Sequence, residues 1–237
     1  MAVIEINPSP IATMFDRISP KYDALNHLLS LNIDKVWRRK TARIVAFYYP
    51  KAILDLATGT ADLAIALAKR NPQAHIIGMD ISEKMLEIGM EKVKKKGLEN
   101  QIELRLGDAA ALPFEDNSFD AVTVAFGVRN FENLKQGLSE IHRVLKPNGL
   151  AFILEFSMPE KFPVKQVYTL YFKHILPKIG KWVSKDVSAY SYLPESVERF
   201  PKPLEFLRLL SSAGLTEGTM RHFGYGIATL YSVTKSK

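Results

Sequence analysis

Across residues 52–156 short apolar runs alternate with helix-patterned segments, and this alternation restricts the fold more than any other feature of the chain. "AILDLA" (52–57), "HIIGMD" (75–80), "QIELRLGD" (101–108), "FDAVTVAFG" (119–127) and "LAFILEF" (150–156) read as strands. Between them lie three helical segments. One spans 60–70 and ends at an Asn-Pro pair, and one spans 133–145 and is stopped by "KPNG". The third is "SEKMLEIGMEKVKKKG", with Ser82 as N-cap and Gly97 beyond its end. Strands alternating with helices imply a parallel sheet covered on both faces. After the helix "PLEFLRLLSSAGL" the last residues read as two more strands. The expected fold is α/β, a doubly wound, seven-stranded, mostly parallel sheet.

Residues 11–49 read as helical. Ile11, Met14, Phe15 and Ile18 recur at helical spacing until Pro20, where the run is expected to break. Val36, Trp37, Ile44, Val45 and Phe47 then suggest a buried stripe. With no repeats and no low-complexity tract, the reading is a single domain over 1–237, with a helical N-terminal extension (1–50) and a late insertion (160–200).

Composition excludes several chemistries. The chain has no cysteine, so disulfides, thiolate metal sites and cysteine nucleophiles are out. Its five histidines show no metal-ligand spacing, so no metal is expected. No apolar run reaches the roughly 18 residues that cross a bilayer, and no secretory signal is visible, so a cytoplasmic location is expected. The net charge of +7 favours an anionic partner such as nucleic acid, acidic lipid or a charged small molecule. A solvated, lysine-rich surface accounts for it equally well.

Ligands of open parallel sheets bind outside the carboxyl ends of the strands. Asp55 lies in the first strand, just before the Gly59 turn; Asp80 ends the second strand and Asp108 the third. Asp80 follows Thr60 by 20 positions, where an acid accepts the hydroxyls of a ribose. That spacing suits NAD and S-adenosylmethionine equally. The turn separates them. "ATGTADL" has one glycine, whereas a dinucleotide loop brings three glycines close to a pyrophosphate. S-adenosylmethionine has no phosphate and carries an ammonium and a sulfonium, which acids attract.

Three longer stretches carry a resemblance: "FDRISPKYDALNHLLSLNIDKVWRR" (15–39), "FGVRNFENLKQGLSEIHRVLKPNG" (126–149) and "YSYLPESVERFP" (190–201). In them the chain resembles the quinone-biosynthesis C-methyltransferases that methylate demethylmenaquinone and the ubiquinone precursor, within the class I, Rossmann-like, S-adenosylmethionine-dependent methyltransferases. The resemblance implies conversion of demethylmenaquinol to menaquinol, the last step of menaquinone biosynthesis, with the ubiquinone benzoquinol precursor as a second substrate. It implies S-adenosylmethionine as cofactor, with Gly59 and Thr60 at its methionyl end. Asp80 would hold its ribose, and Asp108 and Ala109 its adenine. Ala125 stands where relatives often have serine, and Ala61 where they have glycine; its methyl is tolerated if that residue is helical with negative φ.

Ring methylation needs a hydroquinone with one hydroxyl ionised, and no covalent enzyme intermediate. Arg129, just past the fourth strand, is the catalytic candidate. It would stabilise the phenolate or orient a water, but it is no base at neutral pH. A structural arginine paired to a helix carboxylate is the competing reading. Asn130, Tyr22 and Asn26 are expected at the substrate, and residues 1–50, with Tyr22, Asp23 and Asn26, as a lid. The segment 161–185 has six lysines and no acid, with Val164, Val167, Tyr168, Tyr171 and Ile175 expected on one side. It reads either as a membrane-facing cover for a lipophilic quinol at the inner membrane face or as a lysine-edged core helix. A homodimer is left open. Nucleic acid is not expected, since no [ND]-P-P-[YF] loop follows the fourth strand. The alternatives are methylation of another small molecule or of nucleic acid, and a non-catalytic S-adenosylmethionine-binding module.

Overall fold

The alternating segments become a seven-stranded sheet. The computed structural model describes residues 10–30, 32–171 and 187–236, of which 21, 24–29, 187–191 and 193 are described in backbone alone. In chain order the elements are α1 (Pro10–Leu29), α2 (Ile33–Ala46), β1 (Ala52–Leu56), α3 (Asp62–Arg70), β2 (His75–Asp80) and α4 (Glu83–Lys95). Then come β3 (Ile102–Leu106), β4 (Phe119–Ala125), a 3-10 turn (Val128–Asn130), α5 (Leu134–Val144) and β5 (Leu145–Phe156). The chain continues with α6 (Val164–Leu170), α7 (Val187–Arg199), α8 (Pro203–Ser212), β6 (Leu215–Phe223) and β7 (Ala228–Lys235).

The strand order is β3-β2-β1-β4-β5-β7-β6. Neighbours from β3 to β5 pair in parallel, and β7 runs antiparallel to both β5 and β6. The order reverses between β1 and β4, so a crevice opens at their carboxyl ends. Successive side chains of a strand face opposite ways. Ile53 therefore joins one apolar layer with Trp37, Val45, Leu63 and Leu67, while Leu54 and Leu56 join another with Leu138, Ile141, Phe206 and Leu210. Asp55 shares the Ile53 face, and that places its carboxylate on the α2 side of the sheet.

Some expectations are corrected. Pro20 does not break α1, which runs on to Leu29. Proline cannot donate to the carbonyl four residues back, but the Ser19 hydroxyl donates to that carbonyl, Asp16, at 3.0 Å. The stripe on α2 is Asp34, Trp37, Thr41, Ala42 and Val45. Val36 is exposed because it lies a 100° step from Trp37, and Phe47 because it lies past the helix end. The helix expected from residue 60 begins at Asp62, with Thr60 and Ala61 in the turn. Ser82 caps α4 as read, accepting from the Met85 N–H at 3.2 Å. In the insertion Tyr168 is buried and Val167 exposed, which splits the expected apolar side; Ile175 lies outside the described residues. No helix among the described residues is long and apolar enough to cross a membrane.

Candidate active site

The crevice is lined where each strand ends. Leu56, Ala57 and Gly59 come from β1 and its turn, Met79 and Asp80 from β2, Gly107, Asp108 and Ala109 from the loop after β3, and Ala125, Phe126 and Gly127 from β4. Asn130 and Phe131 add a wall, and Ile11, Phe15 and Tyr22 of α1 lie across it. The space, open mouth included, is about 730 Å³. A second, more polar chamber of about 400 Å³ shares Tyr22, Ala57, Gly59 and Ala125 with it and adds Asp23, Arg38, Asp55, Thr58, Thr60 and Asp62.

The turn between β1 and α3 is held by two acids. Asp80 Oδ2 accepts from the Gly59 N–H at 2.7 Å and its Oδ1 from the Ser82 N–H at 2.9 Å. Asp55 accepts from the hydroxyls of Thr58 at 2.7 Å and Thr123 at 2.6 Å. Asp55 thus braces the turn from beneath, its two oxygens already engaged by protein. Ala57, Gly59 and Ala61 all have positive φ, at 49°, 57° and 65°. Ala61 is therefore left-handed, which overturns the expected helical conformation. Its Cβ carries a strain of about 1–2 kcal/mol, partly offset because the methyl is fully buried in the apolar layer.

Thr60 lies in the polar chamber, where its hydroxyl donates to Asp23 Oδ1 at 2.6 Å. Lys92 of α4 bonds Asp23 at 2.8 Å, Thr60 at 3.0 Å and also Asp62. Asp16 accepts from the Ser82 hydroxyl at 2.6 Å. Helix α1 is thus fastened across the mouth at two points, each polar. The Asn26 side chain lies outside the described residues. Asp108 accepts from the Ala110 N–H at 2.9 Å, and the same loop is tied down further along. Glu140 accepts from the Leu112 N–H at 2.8 Å, and Arg143 donates to the carbonyls of Leu112 and Phe114 at 2.9 and 2.7 Å.

Arg129 does not line the crevice. Its guanidinium is buried, donating to Glu155 at 2.7 Å and to the Phe126 carbonyl, with Nε–H on Ser196 at 3.3 Å. The competing sequence reading is close to this, although the carboxylate belongs to strand β5 and not to a helix. Sequence reasoning missed Arg38, Lys92, Glu155 and Tyr192. The i,i+4 pair of Asp34 and Arg38 was the one local signal among them. Lys92 is one of four lysines in "EKVKKK" and nothing local distinguishes it.

Burial pushes the Asp55 carboxyl up to about 6, against the hydrogen bonds from Thr123 and Thr58 and the charge of Arg38. Burial also raises Asp80, opposed by the amides of Ser82 and Gly59. The desolvation penalty on Asp55 is thus only partly relieved by its hydroxyl donors.

A crevice at the switch point of a sheet in this order, with an acid closing β2 and a single-glycine turn, defines a class I methyltransferase fold. The chain belongs to the ubiE/COQ5 methyltransferase family, whose model matches residues 3–235. It is 48% identical over 225 residues to the demethylmenaquinone methyltransferase of Bacteroides fragilis, covering 95% of this chain and 92% of that one. To the ubiquinone/menaquinone biosynthesis C-methyltransferase UbiE of Geobacter sulfurreducens it is 43% identical, covering 95% and 88%. Among solved structures, a SAM-dependent methyltransferase from Aquifex aeolicus has a TM-score of 0.62 at 19% identity, covering 98% of this chain and all of that one. The [4+2]-cyclase SpnF has a TM-score of 0.68 at 18% identity, covering 97% and 98%. A cyclase on the same frame means that the fold alone does not fix the reaction.

A carboxyl whose pKa rises on folding binds its proton more tightly in the folded state. Its contribution to stability is full below about pH 4 and lost as pH climbs through 6. Asp55→Asn removes that loss and retains a hydrogen-bonding partner for each threonine. Between pH 4 and 7 the variant should gain on wild type by up to roughly 3 kcal/mol, measured by urea unfolding. A difference that stays flat with pH overturns the desolvated carboxylate.

Proposed function

We propose that the protein is an S-adenosylmethionine-dependent C-methyltransferase that converts demethylmenaquinol to menaquinol. Membership of the ubiE/COQ5 methyltransferase family carries this reading, with relatives named for this activity at 44–48% identity. The ubiquinone precursor is a second candidate, from the name of the Geobacter relative.

The crevice suits the cofactor. A Cβ placed on Gly59 would meet nothing within 4 Å, so the turn opens onto free space where a ligand backbone can lie. Asp80 faces that space with carboxylate capacity beyond the amides of Gly59, Ile81 and Ser82, and this suits ribose hydroxyls. Asp108 and Ala109 border the far end, which suits adenine. The polar chamber holds Arg38 with Asp23 and Asp62, opposite charges that match an amino acid's carboxylate and ammonium. When bound, S-adenosylmethionine supplies an electrophilic methyl group on its sulfonium.

The chain's own residues then orient and exclude water. Phe126 stacks on Phe156 at 4.4 Å between centroids, and with Ile11, Phe15 and Phe131 the cavity has apolar surface for a naphthoquinol ring. Helix α1, fastened through Asp16 and Asp23, covers the mouth. Ionising one quinol hydroxyl raises electron density on the adjacent ring carbon, which is the nucleophile. Asn130 stands in the wall beside it as a polar contact for the substrate oxygen. Arg129, neutralised by Glu155, fixes the 3-10 turn that carries Asn130.

A peripheral membrane contact is part of this proposal. Phe162, Val167 and Leu170 are exposed on and before α6, beside Lys161 and Lys165. Aromatic and aliphatic groups next to lysines suit an anionic lipid surface, the source of a lipophilic quinol. The remainder of that basic segment lies outside the described residues.

Labelled S-adenosylmethionine incubated with each reduced quinone precursor should transfer label to demethylmenaquinol; label in no quinol sinks the assignment. Asp80→Asn should weaken cofactor binding by about 1–3 kcal/mol in calorimetry, and unchanged affinity contradicts the ribose role. Sedimentation with anionic vesicles should show binding at low salt that falls at high salt. No binding at low salt removes the membrane contact.

A further inference from the structure

Helix α7 reaches the wall of the crevice through two residues one turn apart. Tyr192 donates its hydroxyl to Asn130 Oδ1 at 3.0 Å, and Ser196 accepts from Arg129 Nε–H at 3.3 Å. Residues four apart share a helix face, so α7 grips two consecutive residues of the 3-10 turn at once. The two grips differ in consequence. The Arg129 charge is sealed against Glu155, with the two side chains 7% and 1% exposed, and so presents little net charge to the cavity. Asn130 instead lines the cavity.

An asparagine amide has one acceptor end and one donor end. With Oδ1 engaged by Tyr192, the remaining end is Nδ2–H2, and nothing among the described residues accepts from it. That amide nitrogen is not sealed in the interior, and its residue lines the crevice. Tyr192 is held as a donor, since burial raises its pKa against the lowering effect of Arg129 and Arg199.

We infer that Tyr192 is a positioning residue that fixes the Asn130 amide with its NH2 toward the cavity, where it donates to the oxygen anion of the aromatic substrate. This rests on the reading of the crevice as a quinol methylation site. The anion is the species that must accumulate for ring-carbon attack, and a preorganised donor aimed at it lowers the barrier. Tyr192→Phe keeps the ring but removes the hydroxyl, so the amide is free to turn its carbonyl toward the anion and repel it. The insertion that carries α7 thereby sets the polarity of the substrate wall as well as covering it.

Two measurements test this. In steady-state assays with demethylmenaquinol, Tyr192→Phe should lower kcat roughly tenfold to a hundredfold and shift the acid limb of the kcat–pH profile upward by about one unit. KM for S-adenosylmethionine and the calorimetric affinity for it should be unchanged, and so should the melting temperature. Asn130→Ala should do the same, and the double variant should be no worse than either single one. In the second measurement 4-nitro-1-naphthol, whose ionised form absorbs in the visible, is titrated with pH in the presence of protein. Wild type should lower its apparent ionisation pH; Tyr192→Phe and Asn130→Ala should abolish the shift. Wild-type behaviour of Tyr192→Phe in both measurements overturns the inference. The expected probe shifts without quinol methylation by wild type would overturn the quinol substrate and leave the positioning role standing.

Discussion

The reversal of strand order at β1 is the constraint on which the rest depends. Two parallel halves diverge from β1, one toward β3 and the other through β4 to β5, and among the described residues no crossover helix covers the carboxyl ends where they part. The backbone groups and side chains at that gap must be satisfied by something else. Asp80 reaches across from β2 to the Gly59 amide, Asp55 ties Thr58 down to Thr123 of β4, and the ligand space lies above both. The turn holds three positive-φ residues within five positions, which would be unfavourable without these two acids beneath it.

Closure over the gap is achieved differently on its two sides. Helix α1 is held by hydrogen bonds and charge: Asp16 on Ser82, and Asp23 on Thr60 and Lys92. Such contacts exchange with water at small net cost, so α1 suits a cover that must admit a cofactor. The opposite wall is built on the buried Arg129–Glu155 pair, whose rupture would leave an uncompensated charge in the interior. That pair anchors the 3-10 turn, and α7 holds the next residue of the same turn through the Tyr192–Asn130 hydrogen bond.

Much of this was legible before any coordinates. The periodicities gave seven strands, and strand-end spacing together with the family resemblance named Asp80, Asp108, Ala109, Gly59, Ala125, Tyr22 and Asn130, all of which line the cavity. Ser82 announced its helix. The misreadings share a cause. Pro20 was expected to end a helix because local rules count only its missing N–H. Ser19, its neighbour, supplies the donor. Ala61 was expected to be helical because the helix was placed from residue 60, yet closure of the turn sets it at φ 65° with its methyl buried.

The sequence by itself determined the alternation of elements, the acids at the strand ends, the absence of thiol chemistry and the family to which the chain belongs. The first three follow from spacing and residue type within a few positions, which local sterics and side-chain direction make readable; the family rests on the resemblance of three longer stretches and on a family model matching residues 3–235. Only the tertiary structure decided what each polar side chain faces. Arg129 meets Glu155 across 26 residues, Asn130 meets Tyr192 across 62 and Lys92 meets Asp23 across 69. A hydrogen bond depends on distances of a few tenths of an ångström, and no pattern along the chain specifies those until the sheet has brought its strand ends together.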